Sequence, residues 1–545
     1  MSPRGSLRPD RFLYLLSAVV LIVLLFNLHL WVITTGTEGV IADSSRDMLA
    51  QQNFMHPRLL GGNDFSQLPI PLWFTSLGMK LWGVNVFGAR FFVQISILAQ
   101  VLLTARIAMR LFGSTPIGLF AGLIYLACPL TLMGSRYLGA DVFLATFELG
   151  AIYCILLYHL EKLPVALYGL AAMLACGALC GGLRSLVLPL MVGSYVLIWG
   201  PRNYWVHWRH GVVALLLGLA LVSFWFIHAS NHLPDFWAFT RQVFWQETFW
   251  ETPMHPRWQY GAVFLAGSLP WWILVVPHIT ASVVWENPTV PPVTLCWLVM
   301  PLLFYTLTGC TSLAGLLPLV AGFSILVSYL LHLLSPQQVW IYSRWFAQIY
   351  GSLGILALIV PLGYQVLGQP LRTSWPMVAT SLGTLALVVL LSRFIQAGVR
   401  LRLVAMALVP SLMLLVYGGY YGQANGPWKE SITSISQVIH QRQLDDLPVL
   451  VYNEALPSLA FDLNTDTITI NDGVVNETYL QAGQYGENRW IRLSTPRANR
   501  YLRRLMTDPS VLVVPGELPA QWNWVKMNYP NMEWAGRWLV MYRSQ

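Results

Sequence analysis

A chain of 545 residues that is 56% hydrophobic and only 10% charged is not an ordinary soluble protein, because those carry about 25% charged residues. Nor is it an outer-membrane barrel, whose strands alternate apolar and polar residues and lack long apolar runs. The net charge of +8, from 32 Lys and Arg against 24 Asp and Glu, fits the basic cytoplasmic loops of a polytopic helical membrane protein and is no sign of nucleic-acid binding.

A spanning helix takes about 20 apolar residues. Runs of that order recur at 12–34, 86–105, 115–133, 141–160, 164–181, 185–200, 211–229, 261–280, 292–308, 313–334, 347–367, 375–392 and 402–418, thirteen in all. The predicted fold class is therefore an all-α polytopic membrane domain over 1–418, followed by a small soluble α/β domain over 419–545. The first run follows Arg4, Arg8 and Arg11 without a small-residue cleavage site, which predicts a retained helix. With a cytoplasmic N-terminus, the inside loops hold Arg106, Arg110, Lys162, Arg202, Arg209, Arg344, Arg393, Arg400 and Arg402, as the positive-inside rule requires. The C-terminal domain then lies outside.

The first outside loop, 35–85, carries Glu38, Asp43, Arg46, Asp47, Arg58 and Asp64, and its apolar stretch 70–82 reads as an interfacial segment. Arg136 and Asp141 stand between the third and fourth runs, and Arg184 between the fifth and sixth. The loop 230–260 adds Arg241, Trp245, His255, Arg257, Trp258 and Tyr260 among many aromatics, an interfacial belt or a wall around a lipid-linked substrate. Charge beside a membrane is costly, so these groups are the candidate functional residues. Helix capping by Asp141 and headgroup anchoring by Arg184 are the simpler alternatives. Almost no acid falls in mid-span, which argues against a proton-coupled carrier. The six cysteines sit in apolar runs; Cys176 and Cys180 share a helix face, but no ligand spacing indicates a metal. Beyond residue 419, segments 448–453, 466–470, 511–515 and 538–542 read as strands and 498–507 as a basic amphipathic helix.

The motifs occur in a telling order: Thr37-Glu38-Gly39, Ala42-Asp43, Arg46-Asp47-Met48, Pro57-Arg58-Leu59, Leu81-Trp82-Gly83, Ala89-Arg90, then Arg136 to Asp141, Gly182-Leu183-Arg184, His255-Pro256-Arg257-Trp258-Gln259-Tyr260, Leu269-Pro270-Trp271, Tyr305 to Gly309, and Leu316-Leu317-Pro318. This order resembles that of the lipid-dependent glycosyltransferases of the GT-C fold, specifically the aminoarabinose transferases of lipid A and the related protein mannosyltransferases. The tail segment Leu456-Pro457-Ser458-Leu459-Ala460-Phe461 is similar to the small outer domain that many members carry.

The resemblance implies a bacterial inner-membrane enzyme that moves one sugar, with inversion, from an undecaprenyl-phosphate donor to a lipid or glycan acceptor at the periplasmic face. It implies Glu38 or Asp43, together with Asp141, as acids. Arg184 would partner the donor phosphate, with Arg58, Arg136, Arg241 and Arg257 as further phosphate candidates. Trp245, His255, Trp258 and Tyr260 would line the substrate. No cofactor or metal is required, since Arg can neutralise a leaving phosphate. The pattern departs from the family where Thr37 replaces an Asp, where Ser66-Gln67-Leu68-Pro69 replaces Glu-Lys-Pro, and near Thr311, where a Lys is usual. The alternative expectation is a catalytically degenerate member that binds the polyprenyl lipid and serves a partner protein.

Overall fold

The computed structural model describes residues 11–544 except 35, 61, 64–66, 200–206, 233–235, 238–255, 281–284, 310, 368–370, 395–397, 426–431, 473–488, 493–495 and 519–521. Its larger part is a helical bundle. The helices that position the site are α1 (Arg11–Leu25), α2 (Thr37–Ala50), α3 (Pro69–Trp82), α4 (Val86–Phe112), α5 (Thr115–Ala127), α6 (Pro129–Gly134), α7 (Ala140–Glu161), α8 (Val165–Gly181), α9 (Val187–Trp199) and α10 (Trp208–His232). Long helices at Leu317–Leu333, Pro336–Val366, Trp375–Phe394 and Val399–Asn425 complete the bundle. Among the described residues eight helices are long and apolar enough to cross a membrane, and nine if the pair Trp258–Gly267 and Trp272–His278, bent by 102°, counts as one span. The apolar helices at Val20–Leu30, Thr115–Ala127 and Val293–Thr308 are shorter. The expected thirteen spans are thus not reached among the described residues: the run 115–133 breaks at Cys128-Pro129, 261–280 is bent, 292–308 is short, and 164–181 and 185–200 join in one long span, Val165–Ser194.

Residues 317–331 show why the bundle is a membrane domain: every position in this stretch of apolar helix is buried, so a helix apolar all round lies inside the bundle. Around it, α10 exposes Leu215, Leu216, Leu217 and Leu219, a surface that water would not tolerate and lipid does. Within the first loop, α2 and α3 pack on each other and α3 on α4. The stretch expected at the interface is α3, with Ile70, Leu72 and Met79 buried.

The second unit holds a six-stranded sheet in the order β5-β4-β3-β6-β8-β7. Its strands are β3 (Val449–Tyr452), β4 (Thr467–Asn471), β5 (Trp490–Arg492), β6 (Ser510–Pro515), β7 (Asn531–Ala535) and β8 (Trp538–Arg543); a two-residue pair, β1 (Arg58–Leu59) with β2 (Gly62–Asn63), lies in the first loop. β3 runs parallel to β4 and β6, whereas β8 is antiparallel to β6. All four residues of β3 are buried, as a central parallel strand covered on both faces demands. Helices Thr433–Gln441 and Pro457–Asp462 supply one cover and Pro496–Thr507 the other. The four strands and the basic helix read from the sequence all form, as β3, β4, β6, β8 and the helix Pro496–Thr507; β5 and β7 and the other helices of this unit were not foreseen.

Candidate functional site

The polar groups gather where α2, the α6–α7 turn and the end of α8 meet. Asp141 lies in the first turn of α7, where a carboxylate suits the helix dipole. Opposite it, α8 stops at Gly181, and Gly182 takes φ +62° and ψ −141°, a left-handed backbone that residues with a Cβ avoid. That turn starts the short 3-10 segment Gly182–Leu186 and brings Arg184 Nη1 to 3.2 Å from Asp141 Oδ1. The pair is mostly buried, with side-chain exposures of 18% for Arg184 and 9% for Asp141. Among the described residues this Asp141 oxygen accepts no hydrogen bond of good geometry, so the contact is an ion pair and not a fixed fork.

Behind the pair stands Glu148, buried on α7 and close enough for its charge to act together with those of Asp141 and Arg184. The sequence reading missed it. Its signal was an acid interrupting the apolar run 141–160, and an acid buried within an apolar helix is a functional candidate by default. Cys180 lies in the same cluster and donates to the Ala140 carbonyl at 3.3 Å.

Glu38 adjoins this cluster through Tyr137, whose phenol feels the charges of both Glu38 and Asp141. Tyr137 and Thr37 share a hydrogen bond of 2.8 Å, and Gly139 leaves room for the ring, since a Cβ there would lie 2.1 Å from it. Glu38 itself is heavily engaged. It accepts from Thr34 N at 2.9 Å, Thr34 Oγ1 at 2.6 Å, Leu138 N at 2.6 Å and Arg90 at 2.9 Å. Burial works against its charge, but Arg90 and these donors outweigh it and hold the carboxyl below its ordinary value. Arg90 also donates to the carbonyls of Trp31 and Val32, tying α4 to the chain after α1. Such a carboxylate organises the site and is a weak proton acceptor.

Several expected site residues are placed elsewhere. Asp43 faces the sheet domain, where Arg46 bonds it at 2.9 Å and reaches Asp466 at 2.9 Å; Arg489 joins Asp466 in turn. Burial pushes the Asp43 carboxyl up to about 6 despite Arg46. Arg136 is buried and donates to the carbonyls of Leu24 at 2.6 Å and Phe26 at 3.1 Å, so it ties down the end of α1 and is not turned toward a phosphate. Tyr260 is fully buried and its hydroxyl donates to the carbonyls of Gly309 and Thr311, which makes it a bundle tie and no lining residue. Trp258 is 70% exposed and Arg257 is exposed beside it. Arg58 is half-buried on β1. Arg241, Trp245 and His255 lie outside the described residues.

An apolar cavity of ≈ 580 Å³ opens between Trp31, Leu132, Leu269, Ile273, Leu353 and Leu415. Trp31 links this cavity to the polar cluster: it lines the cavity, and its carbonyl accepts from Arg90, the partner of Glu38.

Comparison with known proteins adds a lineage to this geometry. The family "Dolichyl-phosphate-mannose-protein mannosyltransferase" matches residues 66–228, the stretch from the first loop through α10. An undecaprenyl phosphate-alpha-4-amino-4-deoxy-L-arabinose arabinosyl transferase of Erwinia tasmaniensis is 26% identical over 332 residues, 58% of this chain and 59% of that protein. One from Sodalis glossinidius is 30% identical over 301 residues, 53% of each chain. The chain thus spans less than two thirds of the length of these curated relatives. In fold the likeness extends over nearly the whole chain: the crystal structure of ArnT from Cupriavidus metallidurans in the apo state superposes with TM-score 0.77 and 18% identity over 97% of each chain. The same protein bound to undecaprenyl phosphate superposes with TM-score 0.74 and 19% identity. Collinear motifs, the mannosyltransferase match over residues 66–228 and the shared fold together make this chain a multi-pass membrane protein with the fold of ArnT, similar in sequence to the aminoarabinose transferases and the protein mannosyltransferases.

Proposed function

We propose that this protein transfers a monosaccharide from an undecaprenyl-phosphate sugar to a lipid or glycan acceptor at the periplasmic face of a bacterial inner membrane. The observation that carries the reading is the buried Asp141–Arg184 ion pair, 3.2 Å apart, in a bundle that also holds an apolar cavity of ≈ 580 Å³ linked through Trp31 and Arg90 to Glu38. A cation in a dry site is what a departing phosphate needs, and an apolar slot suits a prenyl chain. The donor phosphate takes Arg184 from Asp141 and so frees the carboxylate. The acceptor hydroxyl oxygen then bonds to the anomeric carbon from the side opposite the phosphate. As the bond from that carbon to the phosphate oxygen breaks, the hydroxyl proton passes to Asp141, and the bonding pair leaves on undecaprenyl phosphate against Arg184. The configuration inverts. Arg184 supplies the charge that a metal would otherwise bring, and no cofactor enters this scheme. Glu38, Tyr137 and Thr37 hold the α6–α7 turn that presents Asp141.

The test is turnover of a sugar-loaded donor by purified protein, read as release of undecaprenyl phosphate. Asp141→Asn and Arg184→Gln should each lower it by about 10²–10⁴-fold while the protein still elutes as a folded species. Undiminished turnover in both variants would remove the pair from the chemistry. No turnover by the parent protein with any donor, with lipid binding retained, would favour the degenerate lipid-binding subunit instead.

A further inference from the structure

The end of the bundle opposite Asp141 carries a basic and aromatic cluster that the transfer scheme does not use. α7 is long enough to cross a membrane, so Asp141 in its first turn and Lys162 just past its end lie at opposite faces. Lys162 takes φ +54°, a helix-end conformation that glycine usually supplies, and its ammonium stands 5.5 Å from the centre of the Tyr158 ring. That ring meets His207 edge-on at 6.1 Å, and His207 lies 6.1 Å from His210. His210 Nδ1 shares a hydrogen bond of 3.0 Å with the Tyr168 hydroxyl of α8. The end of α7, the start of α8 and the start of α10 are thus joined by one row of polar side chains. The adjoining acid, Glu161, is taken up by Arg110, which leaves the row basic. Within it, His207 Nδ1 is buried and meets no hydrogen-bond partner among the described residues. A buried polar nitrogen left in this way calls for a ligand or a water.

We infer that Lys162 and His207, framed by Tyr158, Tyr168 and His210, form a headgroup site for an anionic phospholipid in the leaflet opposite the transfer site. The position selects the ligand. The cluster stands at the ends of spanning helices, where headgroups lie, and the surface beside it faces lipid: Trp208 is exposed, and below it α10 exposes Val212, Val213, Leu215 and Leu216, a strip on which acyl chains can rest. Arg209 stacks over Trp208 at 5.7 Å, which adds a second cation at the level of an interfacial aromatic. Basic pockets between spanning helices are a recurring site for acidic headgroups. The lipid phosphate accepts from the Lys162 ammonium and from the Nδ1–H of His207, the donor that the protein itself leaves unmatched. A zwitterionic headgroup brings a cation of its own, which Lys162 and Arg209 repel. The site shares no residue with the Asp141–Arg184 pair, and its test does not pass through sugar transfer.

The experiment uses the full-length protein, delipidated in detergent, and reads binding of phosphatidylglycerol and phosphatidylcholine by native mass spectrometry, with inorganic phosphate as competitor. The parent should bind phosphatidylglycerol at least about 10-fold more tightly than phosphatidylcholine, and inorganic phosphate should not displace it. Lys162→Gln and His207→Leu should each weaken phosphatidylglycerol by about 5- to 10-fold. Because His207 Nδ1 gives up no hydrogen bond within the described residues, His207→Leu should also keep the lipid-free thermal midpoint while losing the rise that phosphatidylglycerol gives the parent. Arg372→Gln, at an exposed position outside the cluster, should bind like the parent. Equal affinity of the parent for the two lipids, or equal phosphatidylglycerol binding by the parent and the Lys162→Gln/His207→Leu double variant, would overturn the site. Displacement of the lipid by inorganic phosphate would overturn it as well, by making it a site for free phosphate.

Discussion

At the scale of single residues, the carboxylates divide by what surrounds them. Glu38 is held charged by Arg90 and three further donors, and removing one partner of a buried pair leaves the other uncompensated. Glu38→Gln should therefore cost about 3–5 kcal/mol of stability, measured by thermal or denaturant unfolding; an unchanged midpoint would contradict the anchoring role. Asp43 runs the other way. Its folded carboxyl sits near 6 because of burial, above the ordinary value of about 3.9. Between about pH 4 and pH 6 the folded chain keeps a proton that the unfolded chain has lost, so this group's contribution to stability falls as pH rises through the window. Asp43→Asn should flatten that part of the stability profile. A profile as steep as the parent's would show that another group titrates there. Asp141 and Arg184 were both legible from the sequence as charges at the ends of apolar runs. Glu148 was not, because one acid inside a run is hidden when the run is judged by its average. Nor could spacing reveal that Arg136 is spent on two carbonyls at the end of α1, since that contact joins residues more than a hundred positions apart.

Between elements, α2 acts as the clasp between bundle and sheet domain. Gly39 lies against Ser458, where a Cβ would come within 3.0 Å, and Arg46 bridges Asp43 of α2 and Asp466 of the sheet domain. The sequence singled out both Ala42-Asp43 and Leu456 to Phe461; their contact emerges only in the fold. Arg46→Gln should destabilise by about 3–5 kcal/mol because Asp43 is left buried and unpaired. Asp466→Asn should cost no more than about 1 kcal/mol, since Asp466 is 39% exposed and exposed pairs contribute little. Unfolding of the two variants side by side checks the order, and a larger loss from Asp466→Asn would contradict it. The turn at Gly182 is the second such device. Gly182→Ala should strain the left-handed backbone by about 1–2 kcal/mol and displace Arg184, lowering transfer while Asp141 remains intact. Transfer at the parent's rate would show that the turn does not set the arginine.

Across the whole molecule, composition decided the class and apolar run length the helical bundle, because lipid requires every backbone polar group to be satisfied within a helix. The strands of the sheet domain were readable too, since β3 and β6 are continuous apolar runs that only a covered sheet accommodates. The number of spans was less readable: run length counts apolar residues, whereas breaks such as the one between Ala127 and Pro129 divide a run without making it polar. The convergence of α2, the α6–α7 turn and the α8 end could be expected only from the order of motifs, because nothing local in the sequence joins residues 38, 141 and 184. The claim on which this account rests is that Arg184 receives the phosphate of a polyprenyl lipid. Binding of undecaprenyl phosphate to the full-length protein, measured by native mass spectrometry for the parent and for Arg184→Gln, tests it without any need for turnover. The account predicts at least about 10-fold weaker binding by the variant, the loss of one charge-assisted contact. Equal affinity in the two proteins would contradict it.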